Sequence, residues 1–261
     1  SLSSNSVFSI NEDRSHNLWI GTDGNGLSQI DLKSKKFEIY NSDNGISDNM
    51  MSAVFVESKK ILWIGTLNNG LNILNRETGD IKMYSDKLTG DNKLIDDHIH
   101  AILKDSRGKI WVGTNKGVNI YYPETKKMMN LQDYFKGDVK ITSRVNSIIE
   151  TKNKNIWVGT ENGAYYLDFQ YHDARGFFNK PNESNSLSSN HVYSILEDSD
   201  GDIWITTVTG LNRLNLLPFS VQRFLYDPKN NNSPRSNSIY CAIQDKQGLI
   251  WLATSCGLNT Y

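Results

Sequence analysis

Apolar residues in this chain come in short runs set off by glycine, asparagine, aspartate and serine. The runs are rich in β-branched and aromatic residues, as in "SVFSI", "LWIGT" and "GLNILN", and none repeats at a helical period. Such runs, bounded by turn-forming residues, predict β-strands. In "ILWI" the apolar stretch is unbroken, which suits a strand covered on both faces.

The runs recur. "NLWIGTDGNGL" returns as "ILWIGTLNNGL", "KIWVGTNKGV", "NIWVGTENGA", "DIWITTVTGL" and "LIWLATSCGL". The six tryptophans, Trp19, Trp63, Trp111, Trp157, Trp204 and Trp251, are 44, 48, 46, 47 and 47 residues apart. An aliphatic residue stands twelve positions before each, and a small residue ten before. Six before is an acid, except at Thr151. In three units a glycine follows that acid three later, giving Asp-x-x-Gly, which is turn chemistry. A glycine opens a third strand, and a weaker fourth follows in "KFEIY", "DIKMY" and "VQRFLY". Four antiparallel strands repeated at this period predict an all-β fold, a β-propeller.

The units run approximately over 1–44, 45–92, 93–140, 141–185, 186–233 and 234–261, and the last stops after its third strand. Neither chain end offers the missing fourth strand. The segment is therefore expected to be a slice of a longer array, from a ring of at least six blades, with seven or eight expected.

"SLSSNHVYSILEDSDGDIWITTVTGLNRL" and "DDHIHAILKDSRGKIWVGTNKGVNIY" resemble the two-component regulator propeller repeat. The loop "FFNKPNESNSLSSNHV" and its echo in the opening "SLSSNSV" resemble that family's connection between blades. The resemblance covers the whole chain. Thr206 and Ala253, where glycine is usual, and Ala242, which thins one strand, depart from it. It implies the periplasmic sensor of a hybrid two-component system, in which propellers and a β-sandwich precede a membrane span, a histidine kinase, a receiver and a DNA-binding domain. It further implies a saccharide ligand and a homodimeric parent. A pure scaffold, with the ligand held elsewhere, and a propeller enzyme such as a polysaccharide lyase are the alternatives.

The remaining composition narrows these readings. Lys and Arg total 28 against 29 Asp and Glu, so no basic surplus argues for nucleic acid. No apolar window is long enough to span a bilayer. The N-terminus lacks a leader pattern, which leaves a cytosolic protein or a segment of a longer, exported one. Cys241 and Cys256 form no Cys-x-x-Cys motif. Cys241 occupies the small-residue column and is expected to pack as a small hydrophobe in a crowded strand.

Residues that repeat are assigned to structure. The tryptophans are expected to pack between blades rather than to stack on sugars. Thr22, Thr66, Thr114, Thr160, Thr207 and Thr254 end the second strands, where a hydroxyl can bond backbone. Residues that fail to repeat are the candidates for recognition. His98, Arg144 and His191 share one variable column with Ser6, Met50 and Ser238. His100, Tyr193 and Tyr240 share another with Phe8, Ser52 and Asn146. Both columns fall at the start of the first strand, which in a propeller lies near the central funnel. Arg144 suits an acidic sugar, since guanidinium pairs with carboxylate or sulfate. No catalytic motif is evident, and no metal or cofactor is expected.

Overall fold

A computed structural model of the chain describes residues 2–134, 139–169, 173–216 and 219–261. The fold is an all-β propeller of five four-stranded antiparallel sheets and a sixth of three strands. The chain divides into two compact units, Ser1–Tyr134 and Phe135–Tyr261, with three blades in each.

In the first unit, blade 1 holds β1 (Val7–Glu12), β2 (Asn17–Thr22), β3 (Leu27–Asp31) and β4 (Phe37–Tyr40). Blade 2 holds β5 (Met51–Val56), β6 (Ile61–Thr66), β7 (Leu71–Asn75) and β8 (Ile81–Tyr84). Blade 3 holds β9 (Ile99–Lys104), β10 (Ile110–Thr114), β11 (Gly117–Tyr122) and β12 (Lys127–Asn130), then a single helical turn, α1 (Leu131–Tyr134). In the second unit, blade 4 holds β13 (Val145–Glu150), β14 (Ile156–Thr160), β15 (Gly163–Asp168) and β16 (Asp173–Phe177). Blade 5 holds β17 (Val192–Glu197), β18 (Ile203–Thr207), β19 (Gly210–Leu216) and β20 (Phe219–Phe224). Blade 6 holds β21 (Ile239–Gln244), β22 (Ile250–Thr254) and β23 (Gly257–Thr260).

Each core is a stack of sheet faces. Trp19 packs with Met51, Leu62, Ile64 and Leu74 of the next blade, and Trp157 packs with Val192, Ile203, Ile205 and Leu214 of its own next blade. Close approach depends on the glycine of the Trp-x-Gly-Thr phrase. A Cβ at Gly65 would come within 2.5 Å of Ile99, and one at Gly159 within 2.7 Å of Val192. Five tryptophans are buried, but Trp251 in the three-stranded sheet is 37% exposed. Cys241 and Cys256 are free and exposed. The crowded site expected for Cys241 is not found: β21 packs against β17 on one side, and its outward positions face solvent.

Three sets of hydrogen bonds recur among the repeats, the first of them in all six. The threonine hydroxyl at the end of every second strand donates to the carbonyl of the third-strand glycine, at 2.7–3.0 Å. The acid six residues before each tryptophan does two jobs. One oxygen of Asp13, Asp105, Asp198 and Asp245 accepts from backbone N–H groups of the turn, and the other accepts the indole N–H. Glu57 likewise accepts from Trp63 at 2.8 Å. In blade 4, where Thr151 replaces the acid, the buried Trp157 Nε1 has no partner. Third, an asparagine of the third strand holds the loop entering its own blade. Asn72, Asn119 and Asn212, all buried, accept from the N–H of Ser47, Ile95 and Ser188.

The long connection into blade 5 is ordered by the same means. Asn190 accepts from Asn179 N–H, Leu187 is fully buried, and Arg223 donates to the carbonyls of Glu183, Ser186 and Leu187.

Candidate functional site

Both variable columns have a structural cause. In every blade the first strand carries a register irregularity opposite the threonine that ends the second strand. Val192 pairs with Thr207 and Ser194 with Thr206, which leaves Tyr193 as the extra, unpaired residue of a bulge. Tyr240, His100, Asn146, Ser52 and Phe8 hold the same place. A bulge residue is released from the ladder and its side chain is re-aimed, so its identity is free to vary.

The other column is constrained only through its backbone. The carbonyls of Ser6, Met50, His98, Arg144, His191 and Ser238 each accept the N–H of the residue after the conserved threonine. Any side chain satisfies that bond.

In the second unit, three candidate residues come together. Tyr193 and Tyr240, the bulge residues of neighbouring blades, meet edge to face with ring centroids 5.1 Å apart. His191 lies 4.9 Å from Tyr193, which extends the run to three rings. Tyr240 is 49% exposed, so the run presents open aromatic surface. Arg144 is exposed and stands 3.8 Å from the Glu161 carboxylate, with no contact to these rings among the described interactions.

The first unit holds the remaining two. His98 shares a carboxylate with a lysine: Asp96 accepts from the His98 backbone N–H at 2.9 Å, lies 3.1 Å from its Nδ1, and receives Lys116 Nζ at 2.9 Å. Burial raises the Asp96 pKa, but the Lys116 and His98 hydrogen bonds outweigh it, and the net shift is downward. His100 Nε2 sits 2.7 Å from Asn115 Oδ1. Other members of this column serve packing: Ser52 and Asn146 donate to the Ile99 and Val192 carbonyls of the following blade. Among the described residues, no group of three His, Cys, Asp or Glu side chains is placed to hold a metal ion.

Sequence reasoning missed a groove of about 860 Å³ between blades 4 and 5. Phe177 and Tyr166 form one wall, and Phe219 and Val221 the other, with Asp168, Asp200 and Asp202 among its acids. Burial, reinforced by Asp168, pushes the Tyr166 hydroxyl up to about 12, so it stays a neutral donor. No motif signalled it, and the position of Leu216 is also leucine in blade 1, at Leu32.

These features belong to a repeat family. Residues 1–24, 93–116, 140–162, 186–209 and 233–256 match the two component regulator propeller family. The chain belongs to that family, and blade 2, outside those segments, has the same four strands. Over 167 residues, 62% of its length, it is 31% identical to histidine kinase P4 of Formosa agariphila, of which it spans 12%. In fold it resembles the extracellular domain of the hybrid two component system BT3049 from B. thetaiotaomicron. That likeness has a TM-score of 0.66 and 22% identity, over all of this chain and 39% of that one. It also resembles virginiamycin B lyase from Staphylococcus aureus, with a TM-score of 0.69 and 16% identity over 98% of this chain and 84% of the lyase.

Proposed function

We propose that this chain is the ligand-sensing propeller in the extracytoplasmic part of a hybrid two-component histidine kinase, and that its ligand is a saccharide. A histidine kinase 31% identical over 167 residues, and a fold shared with an extracellular two component domain, support the first part. The observation that carries the second is the run of His191, Tyr193 and Tyr240 on adjacent bulges. Exposed aromatic faces beside imidazole and phenol groups offer a sugar an apolar platform together with hydrogen-bond donors and acceptors. Signalling follows from differential affinity: a ligand held more tightly in one arrangement of the parent dimer shifts the population toward it.

Calorimetry of the full extracytoplasmic region against a panel of neutral and acidic oligosaccharides tests this reading. Tyr193→Ala and Tyr240→Ala should each weaken binding about tenfold, given the area an aromatic ring contributes. Unchanged binding in both variants places the ligand elsewhere. The scaffold reading draws on Ile243, Trp251 and Leu258 of blade 6, which are apolar and each more than one-third exposed. No binding across the panel would favour it. The lyase-like fold makes product analysis a necessary control, and turnover by this chain would overturn the sensor assignment.

A further inference from the structure

Successive blades of a unit leave a wedge between them at the outer strands. In three of the four wedges among the described residues, the following blade fills that space from within. Between blades 1 and 2, Arg76 lies 4.7 Å over the Trp19 ring and donates to Gln29 Oε1 at 3.0 Å. Between blades 2 and 3, Tyr121 packs on Trp63 with centroids 5.2 Å apart. Between blades 5 and 6, Tyr261 packs on Trp204, also at 5.2 Å. Among the described residues, the wedge between blades 4 and 5 has no arginine or tyrosine of the following blade on Trp157, and Leu214 packs there instead. Strand register places Leu214 where Tyr121 stands, and Leu216 where Arg76 stands, two residues beyond Leu74. Leu214 is fully buried, Leu216 turns out to solvent, and the groove of about 860 Å³ remains.

Its walls suit a cation. Trp157 is covered from its own blade by Tyr166 and Phe177, at 5.4 and 5.1 Å, and Phe177 contacts Phe219 across the groove at 5.7 Å. The two basic groups of the lining are already paired, Arg175 with Asp173 and Lys180 with Glu183. Asp202 holds Arg213, and Asp168 accepts from the Tyr166 hydroxyl. Asp200 lines the groove with no ion pair among the described residues. Exposed aromatic faces next to unpaired carboxylate attract a planar cation by ring quadrupole and charge together.

We propose that this wedge binds an arginine side chain from a partner polypeptide, which takes the place that Arg76 holds between blades 1 and 2. A polypeptide is favoured over a free guanidinium compound because Leu216, Phe178 and Phe219 are each more than one-third exposed around the groove. Residues flanking the arginine would cover them.

The test uses the folded chain and three probes: acetyl-Leu-Arg-Leu-amide, its citrulline counterpart, and arginine amide. Binding is followed by calorimetry and by amide chemical shifts. The arginine peptide should bind at least about tenfold more tightly than the citrulline peptide, which keeps the shape and lacks the charge. It should also bind more tightly than arginine amide. Asp200→Asn and Phe219→Ala should each weaken it at least about fivefold. Leu216→Arg should fill the wedge from within and abolish binding, while Tyr193→Ala leaves it unchanged. Equal affinity for the citrulline peptide, no shifts at millimolar peptide, or undiminished binding by folded Leu216→Arg would each overturn the proposal. Tighter binding of arginine amide than of the peptide, or displacement of a neutral oligosaccharide instead of the peptide by Leu216→Arg, would do the same.

Discussion

Blade 4 offers a direct measurement of what the aspartate–tryptophan bond contributes, because the molecule lacks it there. Trp157 is fully buried and its Nε1 has no partner, whereas the other indoles have an acid oxygen at 2.7–3.2 Å. A buried donor left unmade costs about 1–3 kcal/mol. Thr151→Asp would supply the acceptor, and its second oxygen would face the N–H groups of residues 153 and 155, as Asp198 faces those of Asp200 and Asp202. Against this, the Thr151 hydroxyl gives up its bond to the Asn155 carbonyl, at 3.1 Å, a loss of about 1 kcal/mol. The net expectation is a gain of about 1 kcal/mol at neutral pH. Urea unfolding followed by tryptophan fluorescence reads the gain as a raised midpoint at unchanged slope. The reciprocal Asp198→Thr should cost about 1–3 kcal/mol by leaving Trp204 unpaired. The pH dependence supplies a further check. The equivalent Asp245 is held below the usual carboxylate range, chiefly by the Trp251 indole. Asp13 is held low as well: burial raises it, and the bonds from Asn17, Trp19 and Ser15 together outweigh that. A carboxylate with a depressed folded-state pKa stabilises above its unfolded value, near 3.8, and the contribution is lost as pH falls through the folded value. The Thr151→Asp gain should thus be complete above about pH 5 and vanish in strong acid. A variant no more stable than the parent at pH 7, or a gain undiminished in strong acid, would refute the reasoning.

Other outcomes follow from the same bonds. Thr207→Val removes a buried hydroxyl that donates to the Gly210 carbonyl, and should cost about 1–3 kcal/mol in denaturant midpoint analysis. Asn212→Ala releases Ser188 and should open the 179–190 connection to proteases under conditions where the parent resists, as seen by limited proteolysis. Lys154 adopts a left-handed conformation at φ 62°, where Gly108, Gly201 and Gly248 stand in other blades. Lys154→Gly should therefore gain about 0.5 kcal/mol in urea unfolding, since relief of strain exceeds the added chain entropy.

Much of the fold was legible because a repeat provides its own alignment. The tryptophan, the threonine that ends the second strand and the glycine that opens the third each had five copies for comparison. The partner of the acid was not legible. Asp198 read as a turn former, and that it also holds the Trp204 indole depends on where two strands bring a turn and a ring, which periodicity does not report. The candidate site was half legible. Its columns were visible as variation, but that one of them is a bulge, and that Tyr193 and Tyr240 touch, appears only when neighbouring blades pack.

Local chemistry along the chain therefore determined the strand pattern, the four-stranded repeat and the residues that close each strand, since these depend on contacts within about 25 residues. The tertiary structure decided which variable side chains meet and, among the described residues, where the wedge between blades 4 and 5 stays open. The physical reason is one of distance. Those outcomes turn on contacts between blades some 45 residues apart, such as the bond from Asn146 to the Val192 carbonyl. A few atoms of side-chain volume, Leu214 against Tyr121 or Leu216 against Arg76, separate this wedge from the filled ones among the described residues.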